Sequence, residues 1–380
     1  MSTKKESPRS TKHYALFTLA LCASVGAAAL VYVGLPALFS VSYAENASST
    51  PIVHVPPARP VLDAAAYDAR LLALAHVASS SPWYHAFIQG TTTITMPGST
   101  TTITVARKLW PAKTAYPLGG ALLPFNRIVA YYGNYYSTGM GALGQYPEDE
   151  VITKLKTEAA KWAAADPATP VLPAIEYIDV TAQGSAGKDG KYRARMPDSQ
   201  IDHALEMAAQ VNGIVILDIQ VGLSTLENEL PLIKDYLAMP NVHLAIDPEF
   251  SMKDGVPPGR EIGTFSSADI NYAINYLSAL VTEHDLPPKI LVVHRFTEEM
   301  VTGYKNITPT PQVQVVMNMD GWGFPAKKLN TYYAVIAPEP VQFTGLKLFY
   351  KNDLLPPSTS LLSTTTILGL TPAPVYIQYQ

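Results

Sequence analysis

Asp247 and Glu249 stand two apart at the end of an apolar run, residues 244–246. On an extended strand that spacing puts both side chains on one face. Carboxylates at the end of a buried strand are costly unless something uses or pairs them. Where several acids crowd together, their pKa values separate, so that one carboxyl stays protonated while another stays ionised. That pairing is the equipment of general acid and base catalysis, and cleavage of a glycosidic bond is a reaction that needs it.

Such residues work together only if a scaffold gathers strand ends. From Arg127 onward, strand-like and helix-like runs alternate. The strand candidates are 128–132, 171–178, 214–220, 242–249, 290–296, 313–320, 346–350 and 375–379. They are rich in Val, Ile and Leu and mostly lack alternation, as parallel strands covered on both faces do. Helical spacing marks 148–165, 198–211, 225–239, 267–284 and 325–336, with Asp198 as a cap for the second and Pro231 early in the third. This alternation predicts an α/β fold, a (β/α)8 TIM-type barrel over 127–380.

In such barrels the chemistry sits at the carboxyl ends of the strands. Read there, the chain offers Tyr132, Glu176, Asp218, Gln220, Asp247, Glu249, His294, Asp320 and Trp322, whereas the opposite ends begin mostly with apolar residues. Glu249 is the candidate general acid and Asp247 its electrostatic partner. Asp218, Glu176 and Asp320 would position substrate or a water, His294 and Gln220 would complete a polar wall, and Tyr132 and Trp322 would stack on a sugar ring. Each also has an ordinary structural role open to it. Asp218 and Asp247 can accept backbone bonds, His294 can be a satisfied core histidine, and the aromatics can be packing. Arg295, on the opposite strand face, is expected to pair with a carboxylate between strand and helix.

Two other classes fit the same rim. Glu176, Asp218, Asp247, Glu249, Asp320 and His294 offer ligands to a divalent metal, and with one bound the chemistry would be hydrolysis of a phosphodiester or amide. The residues do not themselves call for a metal or any other cofactor. A non-catalytic barrel that binds glycan or supports the cell envelope would instead lock Asp247 or Glu249 against Arg193, Arg195, Arg260 or Arg295. Its rim would be filled by loop 179–195.

The N-terminus carries an address. Lys4, Lys5, Arg9 and Lys12 precede a chargeless stretch, 14–44, longer than the roughly 20 residues that cross a bilayer. Residues 1–44 are expected to be a membrane anchor, with a cleaved signal peptide ending at Ser42-Tyr43-Ala44 as the alternative. The rest would then face the periplasm or the cell exterior. Cys22, the single cysteine, lies within this stretch, so the exported part has no disulfide. Residues 45–60 read as a Pro/Ser/Thr tether. Residues 61–126 read as a small module, with a helix over 62–77 and a hairpin over 91–105 turning at Met96-Pro97-Gly98-Ser99. The net charge of −4 provides no basic footprint for nucleic acid, so the expected partners are a carbohydrate or envelope polymer and the membrane.

Several phrases carry a family resemblance: RIVAYYGN, MGALGQYP, LDIQVGLSTLENELP, HLAIDPEFSMKDG, LPPKILVVHRFTEEMVT, VVMNMDGWG and VQFTGLKLFYKND. Together they resemble a family of exported bacterial hypothetical proteins and lipoproteins over about residues 110–380, which implies a shared domain. Asp247-Pro248-Glu249 also resembles the D-x-E ending of strand four in chitinase-like glycosidases. That resemblance implies a glutamate that protonates the leaving oxygen and an aspartate that steadies a substrate-derived nucleophile. Leu244, Ala245 and Ile246 stand where that group carries further aspartates, and LDIQVG replaces its glycine motif on strand three.

Overall fold

The computed structural model describes residues 59–76, 90–95, 102–107, 110, 112, 114–339 and 341–380. The expected anchor or signal peptide at 1–44 and nearly all of the tether lie outside the described residues. Among the described residues no helix is long and apolar enough to cross a membrane.

All eight expected strands form. They are β1 (Arg127–Gly133), β2 (Val171–Ala182), β3 (Ile214–Ile219), β4 (Val242–Ile246), β5 (Lys289–Arg295), β6 (Val313–Met319), β7 (Phe343–Leu348) and β8 (Tyr376–Tyr379). Each runs parallel to the next, and β1 pairs with both β8 and β2, so the sheet closes into a barrel. The (β/α)8 expectation holds in these residues. Strand seven starts at Phe343 rather than 346, and strand four stops at Ile246 rather than reaching Glu249.

The strands are buried on both faces, which explains their unbroken apolar runs. Alternate residues serve two separate cores. Val129, Ile175, Leu217, Leu244, Val293 and Met317 point outward and pack against the helices. Ile128, Ala174, Ile216, Ala245, Val292 and Phe343 fill the barrel interior.

Among the described residues the first helix is α1 (Ala64–Leu74), and the helices that follow it between the strands make the outer layer. Helix α2 (Glu148–Ala165) buries Val151, Leu155, Ala159 and Trp162 as its spacing requires, and its first turn carries Glu148, Asp149 and Glu150, favourable at a helix N-terminus. Helix α3 (Asp198–Gln210) is preceded by Pro197, so Asp198 lies inside the first turn and does not cap it. Helix α4 (Ser267–Glu283) begins with a reciprocal capping box between Ser266 and Asp269. The single helix expected over 225–239 is broken instead. Leu230–Ile233 is a 3-10 turn containing Pro231, which cannot donate to an α-helical ladder. Helix α5 (Pro325–Thr331) widens into a π turn at Tyr332–Ile336.

Helix α1 does not serve as an outer helix for the last strand. Its Tyr67 and Leu71, with Ala75 just after it, join Trp110 and Leu123 on the interior core and close the amino-terminal mouth of the barrel. The expected hairpin forms as antiparallel strands Gly90–Thr95 and Thr102–Arg107.

Candidate active site

At the carboxyl end the interior changes character within one step of the alternation. Two residues beyond Ala130, Ala174, Ile216, Ala245, Val292, Val316, Gly345 and Tyr376 stand Tyr132, Glu176, Asp218, Asp247, His294, Asn318, Lys347 and Gln378. All eight of these are buried, so a nearly complete polar layer lies over the apolar one. Gly345 makes room for it: a Cβ there would lie 2.7 Å from Asn318 Oδ1 and 2.8 Å from the Tyr376 ring.

His294 is the centre of the layer. Its Nε2 meets Glu176 Oε1 at 3.2 Å, with Asp218 Oδ1 at 3.9 Å, and its Nδ1 meets Asp320 Oδ2 at 3.1 Å. Burial alone would favour the neutral ring, but the bonds to Asp320 and Glu176 outweigh it and raise the pKa well above the ordinary value. The imidazolium form, which can donate to a carboxylate from each nitrogen, is therefore favoured at His294. Glu176 also accepts from Tyr376 and Gln378.

Lys347 is the second buried cation. Its Nζ lies 3.1 Å from Asp320 Oδ1 and 3.7 Å above the Tyr132 ring centre. Burial opposes ionisation of Asp320, but Lys347 and His294 prevail and hold its pKa below the usual carboxylate value. Tyr132 donates to Asp218 Oδ2 at 2.9 Å. Gln220 Nε2 lies 3.3 Å from Tyr132 and 3.4 Å from Asp247 Oδ2.

Five carboxyls thus face two cations, and the surplus resists ionisation. Burial raises the pKa of Glu176 and of Asp218. For Asp247 the shift is well above the ordinary value, with Asp218, Glu249 and Asp320 adding repulsion to burial. Glu249 is pushed up to about 7 by burial, then by the charge of Asp320.

The expected geometry of Asp247 and Glu249 needs correction. They do not alternate on one strand face, because the strand ends at Ile246 and Pro248–Phe250 form a 3-10 turn. Pro248 has no N–H for a ladder, and Asp247 caps the turn by accepting from Glu249 N at 3.1 Å. Both still line the same cleft.

That cleft has a volume of about 540 Å³ and is lined by Tyr132, Gln220, Asp247, Glu249, Asp320, Trp322 and Lys347, with Phe250, Phe296 and Phe349 among its aromatic walls. Glu176 and Asp218, expected to position substrate or a water, and His294, expected on the polar wall, are instead fully buried beneath the cleft, where they bear on the charge state of the residues above. Tyr132 is also corrected: its ring lies under Lys347 and its hydroxyl is committed to Asp218, so it does not present an open platform. Trp322 remains half-exposed on the wall, with Lys327 Nζ 4.7 Å from its ring centre. Its loop is pinned by buried Asp353, which accepts from Gly323 N at 2.8 Å and pairs with Lys328 at 3.1 Å.

The arginine closure does not form. Arg193 and Arg195 both grip Glu229, at 2.9 and 2.6 Å, and Arg295 pairs outward with Glu339, as its strand face implies. Among the described residues no arginine pairs with Asp247 or Glu249. Loop 179–195 folds back as a hairpin on β2, Arg193–Arg195 pairing with residues 180–182, and so extends the wall. Among the described residues no group of three or more His, Cys, Asp or Glu side chains is arranged to hold a metal ion.

Sequence reasoning missed Lys347. Its signal was a lone charge in the apolar run Phe-Thr-Gly-Leu-Lys-Leu, hidden because the strand was expected to start three residues later and end at Tyr350.

No protein-family model matches the chain, and no curated protein matches it. Among solved structures it is similar to the GH36 alpha-galactosidase AgaA from Geobacillus stearothermophilus, in complex with 1-deoxygalactonojirimycin. The identity is 12% and the TM-score 0.33, over 67% of this chain and 39% of that one. The chain therefore spans well under half the length of that enzyme.

Proposed function

We infer that the barrel is a glycoside hydrolase-like enzyme acting on a glycan, with Glu249 as the general acid. The observation that carries this reading is the split between two carboxyls on one cleft. Glu249 is pushed up to about 7, whereas Asp320 is held ionised by Lys347 and His294. A large share of Glu249 is then protonated near neutral pH and able to donate to a leaving oxygen. Asp320 supplies the fixed negative charge that an oxocarbenium-like transition state requires. Asp247 and Gln220 hold the turn that carries Glu249, and Trp322 offers an indole face to a sugar ring. The N-terminal basic and apolar stretch would keep the barrel at the envelope, facing outward.

The test is hydrolysis of a panel of glycosides and envelope glycans by the full chain and by Glu249→Gln. Where leaving groups are poor, the variant is expected to lose about 10²-fold or more in rate. With activated aryl leaving groups, which need no proton, the loss should largely disappear. The wild-type rate should fall as pH rises through about 7, when Glu249 gives up its proton. Equal losses on both substrate types would remove Glu249 from the acid role.

A further inference from the structure

A second cavity, of about 320 Å³, lies at the opposite end of the barrel, where α1 meets the entries to β1 and β2. Its lining includes Arg70 and His76 from the α1 region, Arg127 at the start of β1, and Asp166 and Thr169 from the turn before β2. None of these takes part in the cleft described above.

Arg127 is 2% exposed. One of its terminal nitrogens, Nη2, donates to Asp166 Oδ2 at 3.0 Å, and its guanidinium lies 5.5 Å from the centre of the Trp162 ring. Among the described residues, Nε and Nη1 have no hydrogen-bond partner. Unsatisfied donors on a buried charged group are costly, so an acceptor for them has a large effect on stability. Asp166 is already shared, since Thr169 Oγ1 also donates to it at 2.7 Å. Arg70 brings a second guanidinium, 3.3 Å from Thr169 Oγ1 and donating to the Ala168 carbonyl. Among the described residues, two guanidinium charges therefore meet one carboxylate, leaving one positive charge uncompensated.

His76 adds a conformational sign. It follows α1 with φ of 54°, a left-handed conformation uncommon for a residue with a side chain, while its Nε2 lies 3.0 Å from the Leu370 carbonyl. The contact fixes the imidazole in the cavity lining.

We propose that this cavity is a binding site for a small oxyanion of the phosphate class, recognised by Arg127 and Arg70 with His76 in its lining. Guanidinium forks match tetrahedral oxyanions in shape and charge. The bound anion joins α1 to β1 and to the turn before β2, and so fastens the helix that closes the amino-terminal mouth.

The test is thermal unfolding of the full chain in rising inorganic phosphate, with chloride at matched ionic strength as the reference. A ligand that binds only the folded state raises the midpoint in a saturable way. Phosphate is expected to do so and chloride is not. Arg70→Gln, on a half-exposed side chain, should weaken apparent affinity about tenfold, the effect of losing one charge-assisted bond. His76→Gln should weaken it less. Glu249→Gln, which alters the other end of the barrel, should leave the phosphate response as it was. An absent or non-saturating shift, one reproduced by chloride, or one unchanged in both Arg70→Gln and His76→Gln would overturn the proposal.

Discussion

The lower and upper halves of the barrel interior share the same eight strands yet obey opposite rules. Below, Ile128, Ile216, Ile290, Val292 and Phe343 make an apolar core that needs only shape and volume. At the carboxyl ends of the same strands, Glu176, Asp218, His294 and Lys347 make a layer whose charges are held by one another, by Asp320 and by neutral donors such as Tyr132 and Gln378. The rigid lower half fixes the strand ends. The upper half uses that rigidity to hold like charges together, which a flexible site would relax by letting them separate.

The sharpest way to break the contrast is to remove one upper cation. Lys347→Met leaves Asp320 with His294 as its remaining cation in a buried site. The expected loss is about 3–5 kcal/mol, measured by denaturant unfolding. Much of it should return in the double variant Lys347→Met with Asp320→Asn, because the uncompensated charge is then gone. A loss unaffected by the second change would mean that Lys347 acts through packing.

The lower half should behave differently. Ile290→Ala leaves a cavity in the apolar layer and is expected to cost about 2–4 kcal/mol. No charge is stranded, so Glu249 should titrate as it does in the wild type. A shift of its pKa by more than a few tenths of a unit would show that the two halves are electrically coupled through the packing.

The same contrast explains what was legible in the sequence. Apolar runs of parallel strands announce themselves, and the barrel was readable from them with errors only at ends. Strand ends also showed where the acids gather. What remained hidden was vertical position: Glu176 and Trp322 both follow an apolar run, yet one is buried beneath the cleft and the other half-exposed on its wall. Side-chain partners were hidden too. Asp247 and Glu249 suggested a strand face, but the missing N–H of Pro248 and the capping preference of aspartate turned the chain into a 3-10 turn. Lys347 was masked by a strand start placed three residues late, and the Lys328–Asp353 clamp joins helix α5 to a 3-10 turn after β7. Plug helix α1 was visible as a helix, but nothing in its amphipathic spacing tells the mouth of a barrel from its outer wall.

The separation of Glu249 from Asp320 is most directly tested by titrating side-chain carboxyl ¹³C signals by NMR, with Glu249→Gln and Asp320→Asn used to assign them. Glu249 is expected to titrate near 7 and Asp320 below the ordinary aspartate value, with the Glu249 midpoint falling when Asp320 is neutralised. If the two carboxyls titrate together in the ordinary range near 4, the cleft does not divide acid from base and the proposed chemistry fails.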